Sequence, residues 1–264
     1  KLYELDKIRV GIVNYLNTRP FLKGLNQLAL NGEIHLIQDY PARIADDLIA
    51  GRVDIGLVPV AVLPHLSQAS IIGSHCIATE GSVASVCLFS EQPLESLDTI
   101  LLDYQSRTSV QLLQILLRDY WKKEVKFIPS HTSAYIDQIQ GRSGGLIIGD
   151  RALNAYDRFN YKYDLGEAWL QLTGMPFVFA VWVSRIALEE RFIEKFIQAN
   201  ELGLSAREEI ALENAGVVSY NLYHYFTNNI DYNLTERKRM ALDHFLTYSS
   251  TLPPLFPSSE SKNI

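Results

Sequence analysis

The feature that most constrains this chain is an apolar strand that runs into a polar turn and restarts as a helix, and it occurs twice. Val10, Ile12 and Val13 lead into Asn14-Tyr15-Leu16-Asn17-Thr18-Arg19-Pro20, and a helix follows over residues 21–30 with Phe21, Leu22, Leu25 and Leu28 on one side. Thr99-Ile100-Leu101-Leu102-Asp103 leads in the same way into Tyr104-Gln105-Ser106-Arg107-Thr108-Ser109 and a helical run from residue 110. A helix start carries unpaired backbone N–H groups and the positive end of the helix dipole, so such a joint can hold an anion. Arg19 and Arg107 each offer a planar fork for a carboxylate. Ordinary helix capping uses the same short polar residues. Two such turns with surplus polar groups point further, to a small anionic ligand held between two lobes.

The rest of the chain repeats the order around each turn. The first half reads strand, polar turn, helix, a strand over 34–38, a helix over 41–50 closed by Gly51, and the continuous apolar strand Val53-Asp54-Ile55-Gly56-Leu57-Val58-Pro59-Val60. The second half reads a strand over 99–103, polar turn, a helix over 110–120, a strand over 125–128, a helix over 133–140 and a strand over 144–150. Continuous rather than alternating apolarity predicts parallel strands covered on both faces, which is the α/β class. Two apolar segments, 83–89 and 176–183, read as the crossings between lobes. The boundaries then fall at 1–90 and 183–264 for a discontinuous first lobe and 91–182 for an inserted second lobe. Helices are expected over 189–203, 206–214, 221–226 and 235–246, with fraying over 258–264. Ligands in such lobes sit at the carboxyl ends of the strands, where both turns lie. A clamp of this kind closes by hinge motion.

Composition narrows the partners. The 264 residues suffice for one large or two smaller cores. A net charge of −6 without a basic run argues against nucleic acid or an acidic membrane surface, so an anion must be met by local donors. No apolar stretch approaches the roughly 20 residues of a membrane span. Cys76 and Cys87 have no ligand spacing and read as buried reduced thiols, and the six histidines form no metal-binding pair. The chain opens at Lys1 rather than methionine, so the lack of a signal segment carries little weight about location. The aromatic tail (Tyr220, Tyr223, Tyr225, Phe226, Tyr232) packs on the first lobe or forms a dimer face.

Six words in order carry a resemblance: Val13-Asn14-Tyr15-Leu16-Asn17-Thr18-Arg19-Pro20, Asp54-Ile55-Gly56-Leu57-Val58-Pro59, Ser106-Arg107-Thr108-Ser109-Val110, Ile148-Gly149-Asp150-Arg151-Ala152-Leu153, Asp164-Leu165-Gly166-Glu167 and Leu172-Thr173-Gly174-Met175-Pro176-Phe177-Val178-Phe179-Ala180-Val181-Trp182. Between about residues 9 and 184 the chain resembles the chorismate dehydratases of menaquinone biosynthesis by the futalosine route. The resemblance implies a two-lobed type II periplasmic-binding-protein-like fold with a ligand cleft between the lobes. It also implies a cytoplasmic carbon–oxygen lyase that converts chorismate to 3-[(1-carboxyvinyl)oxy]benzoate without a cofactor.

For a dianionic substrate the expected ligands are Ser106, Arg107, Thr108 and Ser109 on one side, and Asn17, Thr18 and Arg19 on the other. Asp150 is counted beside them. Asn17 is expected to orient the enolpyruvyl arm and Ser85 to hydrogen-bond the departing hydroxyl. A general base is not evident. Glu80, His75 and Asp150 are the nearest ionisable groups, each with a structural alternative, and the substrate's own enolpyruvyl carboxylate could take the proton instead. The competing functions are a non-catalytic solute-binding protein for a small carboxylic acid, and a regulator's effector domain. The second would need a helix-turn-helix, for which no room exists before the first strand.

Overall fold

The computed structural model describes residues 7–66 and 68–255. The elements are β1 (Ile8–Val13), α1 (Arg19–Leu30), β2 (Ile34–Asp39), α2 (Pro41–Ile49), β3 (Ile55–Pro59), β4 (Ser70–Thr79), β5 (Val86–Ser90), β6 (Thr99–Leu102), α3 (Thr108–Ile115), β7 (Lys126–Pro129), β8 (Ser143–Ile148), α4 (Gly149–Ala155), β9 (Tyr161–Asp164), α5 (Leu165–Thr173), β10 (Phe177–Ser184), α6 (Glu190–Ser205), α7 (Arg207–Glu213), α8 (Leu222–His224), β11 (Asp231–Asn233) and α9 (Glu236–Ser249). They form two sheets, one in the order β11-β4-β10-β3-β1-β2 and one in the order β7-β6-β8-β5-β9. Each sheet has the same nucleus. β1 lies between β2 and β3, and β6 lies between β7 and β8, all parallel. An antiparallel strand then adds to each, β10 on β3 and β5 on β8. The duplicated strand order expected from the sequence is present.

Continuous apolar runs form these strands because both faces are covered. β3 and β5 are buried along their whole length. The helix expected over 110–120 begins two residues earlier at Thr108, and its final turn over Leu116–Tyr120 widens to a π turn. The segment expected as helix over 133–140 is 3₁₀ over Ser133–Gln138. Gly51, with φ +73°, ends α2 as anticipated. Tyr225, Phe226 and Tyr232 are buried in the first lobe's core. The expectation of fraying over 258–264 falls outside the described residues.

Sheet membership moves the lobe boundaries from those read in the sequence. β5 pairs with β8 and β9 in the second sheet, whereas β10 pairs with β3 and β4 in the first. The crossings are therefore the short links after β4 and after α5, at residues 80–85 and 174–176; the apolar segments 83–89 and 176–183 overlap these links only at residues 83–85 and 176, and their remainder is core strand. Their apolarity reflects burial within a sheet.

Two glycines tie the return of the chain to the first turn. A Cβ on Gly24 would lie 1.6 Å from the Ala199 carbonyl oxygen, and one on Gly203 would lie 1.6 Å from that of Pro20. Helices α1 and α6 thus pack backbone to backbone, anchoring α1 next to the turn at its start. Among the described residues, no helix is long and apolar enough to cross a membrane.

Candidate active site

The carboxyl ends of β1, β3 and β8 open on a cleft between the sheets, lined by Val13, Pro59 and Ile148 together with Tyr15, Asn17, Thr18, Ser85, Ser106, Thr108, Ser109 and Gly149. The walls are mostly apolar (Leu57, Ile77, Val83, Phe179), so the polar groups that reach the cleft act in a poorly solvated space.

The second turn presents α3 end-on. Ser106 Oγ accepts the Ser109 N–H at 3.0 Å, which orders the turn as a cap would. Thr108 Oγ1 accepts the Ala61 N–H from the first lobe at 3.2 Å and keeps its own proton available. Thr108 and Ser109 are both buried and line the cleft, so the start of α3 directs donors and a positive dipole end into it.

The first turn is more heavily committed. Thr18 Oγ1 lies 2.6 Å from the Val13 carbonyl and 2.8 Å from that of Tyr15, so this hydroxyl secures the turn and is spent there. The Asn17 carbonyl accepts the Tyr232 hydroxyl at 2.8 Å, while its side-chain Oδ1 is buried without a partner among the described residues. Tyr15 donates its hydroxyl to the Gln105 side chain across the lobes. Burial pushes its pKa up, so it stays protonated.

Three expected ligands stand elsewhere. Arg19 is exposed and outside the cleft lining. Arg107 turns to Asp46 of the first lobe, 2.8 Å away, in a partly exposed pair beside the cleft. Asp150 Oδ1 accepts the Leu16 N–H at 2.9 Å. The carboxylate of one lobe thus occupies a donor of the other lobe's turn. Burial raises the Asp150 pKa, opposed by the Leu16 N–H and by the charges of Arg19 and Arg151.

Of the remaining candidate bases, Glu80 is ion-paired with Arg237 and half exposed. His75 is buried against Phe21, its ring centroids 6.0 Å apart, and lines a different hollow with Glu80 and Glu201. Burial lowers its pKa and keeps it neutral. Cys76 and Cys87 are free and buried, with the Cys76 thiol pushed up to about 12 by burial.

Ser85 does line the cleft, and two residues that were not singled out for a role hold it there. Asp164 is the side-chain cap of α5, accepting from the N–H groups of Gly166 and Glu167. The same carboxylate accepts the N–H of Val83 at 3.1 Å and of Ala84 at 2.7 Å, and the Ser82 hydroxyl at 2.8 Å. Ala84 has φ +61°, a conformation uncommon for a residue with a Cβ, and Asp164 pins it directly before Ser85. Gly166 is required at this joint, since a Cβ there would lie 2.5 Å from the Gly81 carbonyl. The word Asp164-Leu165-Gly166-Glu167 marked the place in the sequence without declaring its task. On the other side of Ser85 stands Tyr225, whose hydroxyl donates to Ser85 Oγ at 2.7 Å. No sequence signal links residues 140 positions apart.

Two lobes of this topology, closing on a cleft at their strand ends, define the periplasmic-binding-protein-like class. Solved structures agree on the fold: a protein of Archaeoglobus fulgidus superposes with a TM-score of 0.71 at 15% identity, covering 94% of this chain and 98% of its own. The periplasmic aliphatic sulphonate binding protein of Escherichia coli superposes with a TM-score of 0.62 at 14% identity, covering 91% of this chain and 85% of its own. Residues 8–251 match the family described as menaquinone biosynthesis, and the chain belongs to that family. It is similar to a chorismate dehydratase of Thermus thermophilus, 29% identical over 265 residues, spanning 86% of this chain and 94% of the relative.

Proposed function

We propose that this chain is a cytoplasmic chorismate dehydratase, a lyase that eliminates water from chorismate to give 3-[(1-carboxyvinyl)oxy]benzoate. The observation that carries the reading is that two polar turns, 90 residues apart in sequence, line one largely apolar cleft together with Ser85. Family membership and the name of the Thermus thermophilus relative support the same substrate.

Chorismate carries one carboxylate on its ring and one on the enolpyruvyl arm. Each polar turn takes one of them. The elimination removes the ring hydrogen on the carbon bearing the ether and the hydroxyl on its neighbour. As that C–H bond breaks, its electron pair spreads through the adjacent ring double bond toward the ring carboxylate. Donors on that carboxylate stabilise the developing charge as an oxyanion hole does. The pair then forms the last ring double bond as the C–O bond breaks, and hydroxide leaves as water with a proton. The step is redox-neutral and ends in an aromatic ring.

The commitments of Glu80, His75 and Asp150 favour the substrate's own enolpyruvyl carboxylate as proton acceptor. The enzyme's part is then to fold the arm over the ring, which is catalysis by orientation. Asn17 holds the arm and Ser85 donates to the departing hydroxyl.

Incubation of the purified chain with chorismate alone tests the reading. Loss of one water, followed by ultraviolet absorbance and mass, is the expected result. Tight binding without turnover would instead assign a solute-binding protein. Neither binding nor turnover would remove chorismate as the ligand.

A further inference from the structure

Ser85 Oγ has one proton and two lone pairs, and its surroundings decide where the proton goes. One lone pair accepts the Tyr225 hydroxyl at 2.7 Å, both groups being buried. Among the described residues the serine's own proton has a single protein acceptor within range, the Val83 carbonyl at 3.4 Å, at the edge of a hydrogen bond. The cleft is the other direction open to it, since Ser85 lines that wall. Asn17 lines the same cleft, on the side of the first turn.

We infer that Tyr225 is a positioning residue for the elimination: by donating to Ser85 Oγ it turns the serine proton into the cleft, toward the leaving hydroxyl. A hydroxyl that accepts a hydrogen bond is also a stronger donor, because neighbouring bonds in a chain polarise one another. The sequence Tyr225 phenol, Ser85 hydroxyl, departing oxygen thus runs in one direction, each group donating to the next. Tyr225 itself touches no substrate atom in this arrangement. It comes from the π turn Tyr225–Asn229 near the end of the first lobe, so that lobe's tail completes the site beside the crossing link at residues 80–85.

This inference rests on the proposed function, and a double-mutant cycle separates the two. The proteins compared are the wild type, Tyr225→Phe, Ser85→Ala and the double variant, with kcat and KM for chorismate and the melting temperature of each. Tyr225→Phe keeps the buried ring and is expected to lower kcat by roughly fivefold to tenfold, the value of one hydrogen bond, with KM within about twofold. The double variant is expected to match Ser85→Ala, because the phenol acts only through that serine. Losses that multiply, or a Tyr225→Phe enzyme as fast as the wild type, would overturn the positioning role and leave the dehydratase standing. A wild type that does not convert chorismate would overturn both. Replacement of Tyr225 by 3-fluorotyrosine retains a more acidic phenol and is expected to keep kcat at or above the wild-type value. A drop to the Tyr225→Phe level would contradict the inference.

Discussion

Asp150, on the second lobe, accepts the backbone N–H of Leu16, on the first, at 2.9 Å. The contact fills with a protein carboxylate one donor of a turn suited to anions, and it ties the lobes together beside the cleft. Burial holds this carboxyl above the ordinary range. A group whose folded pKa exceeds its unfolded value, about 3.9 for aspartate, stabilises the fold fully below that value and loses the contribution as pH rises through the raised one. Asp150→Asn removes the dependence. The stability of the variant relative to wild type should therefore increase with pH through that window and level off above it. Urea unfolding over about pH 3.5 to 7 measures this, and a difference that falls with rising pH would contradict it.

Asp164→Ala should be the most damaging single change near the site. It strips the acceptor from the N–H groups of Val83, Ala84, Gly166 and Glu167 and from the Ser82 hydroxyl. The expected loss is at least about 3 kcal/mol in urea unfolding, from several buried donors left unpaired. Turnover should fall as well, because Ala84 is no longer held in its positive-φ conformation before Ser85. Unchanged stability would show that the crossing segment is held by other contacts.

Glu80→Gln and His75→Gln, made singly, should keep kcat within about threefold of wild type, since a group that moves no proton leaves the barrier nearly unchanged. Glu80 is engaged with Arg237, and His75 is kept neutral by burial away from the cleft. A collapse of kcat in a folded variant of either residue would return the role of base to the protein.

The arginines of the two turns should matter less than the hydroxyls beside them. Arg107 is paired with Asp46 in a partly exposed bridge, worth under about 1 kcal/mol, and Arg19 is exposed. Arg19→Ala and Arg107→Ala are expected to raise KM for chorismate less than Thr108→Val or Ser109→Ala does. The reverse order in steady-state kinetics would mean that the lobes rearrange to bring an arginine onto the substrate.

Much of this architecture was legible in the sequence, for a local reason. The strands around each turn are continuous apolar runs, and the helices after them begin with short polar residues, so β1, β3, β6 and α1–α3 could be placed from neighbours alone. β4 escaped because Gly73, Ser74 and His75 break its apolar run, although it lies between β10 and β11. β9 escaped because Tyr161 and Lys162 are exposed at the sheet edge. The lobe boundaries shifted because strand pairing is a long-range choice. Of the residues that line the cleft, Asn17, Ser106, Thr108 and Ser109 lie in the two polar turns and could be picked out locally, whereas Ser85 stands in neither turn and in none of the six words. The tasks of Asp150, Asp164 and Tyr225 were not, since each depends on a partner brought near only by the folded chain, 134, 80 and 140 positions away.

A crystal structure of the chain with 3-[(1-carboxyvinyl)oxy]benzoate tests the assignment of this cleft as the site of the elimination. The product is expected between the lobes, one carboxylate at Thr108 and Ser109 on the start of α3, the other at Asn17, and the ring carbon that lost its hydroxyl facing Ser85. Product seated outside the cleft, for instance in the surface hollow lined by Arg107, Gln111 and Ser130, would contradict it.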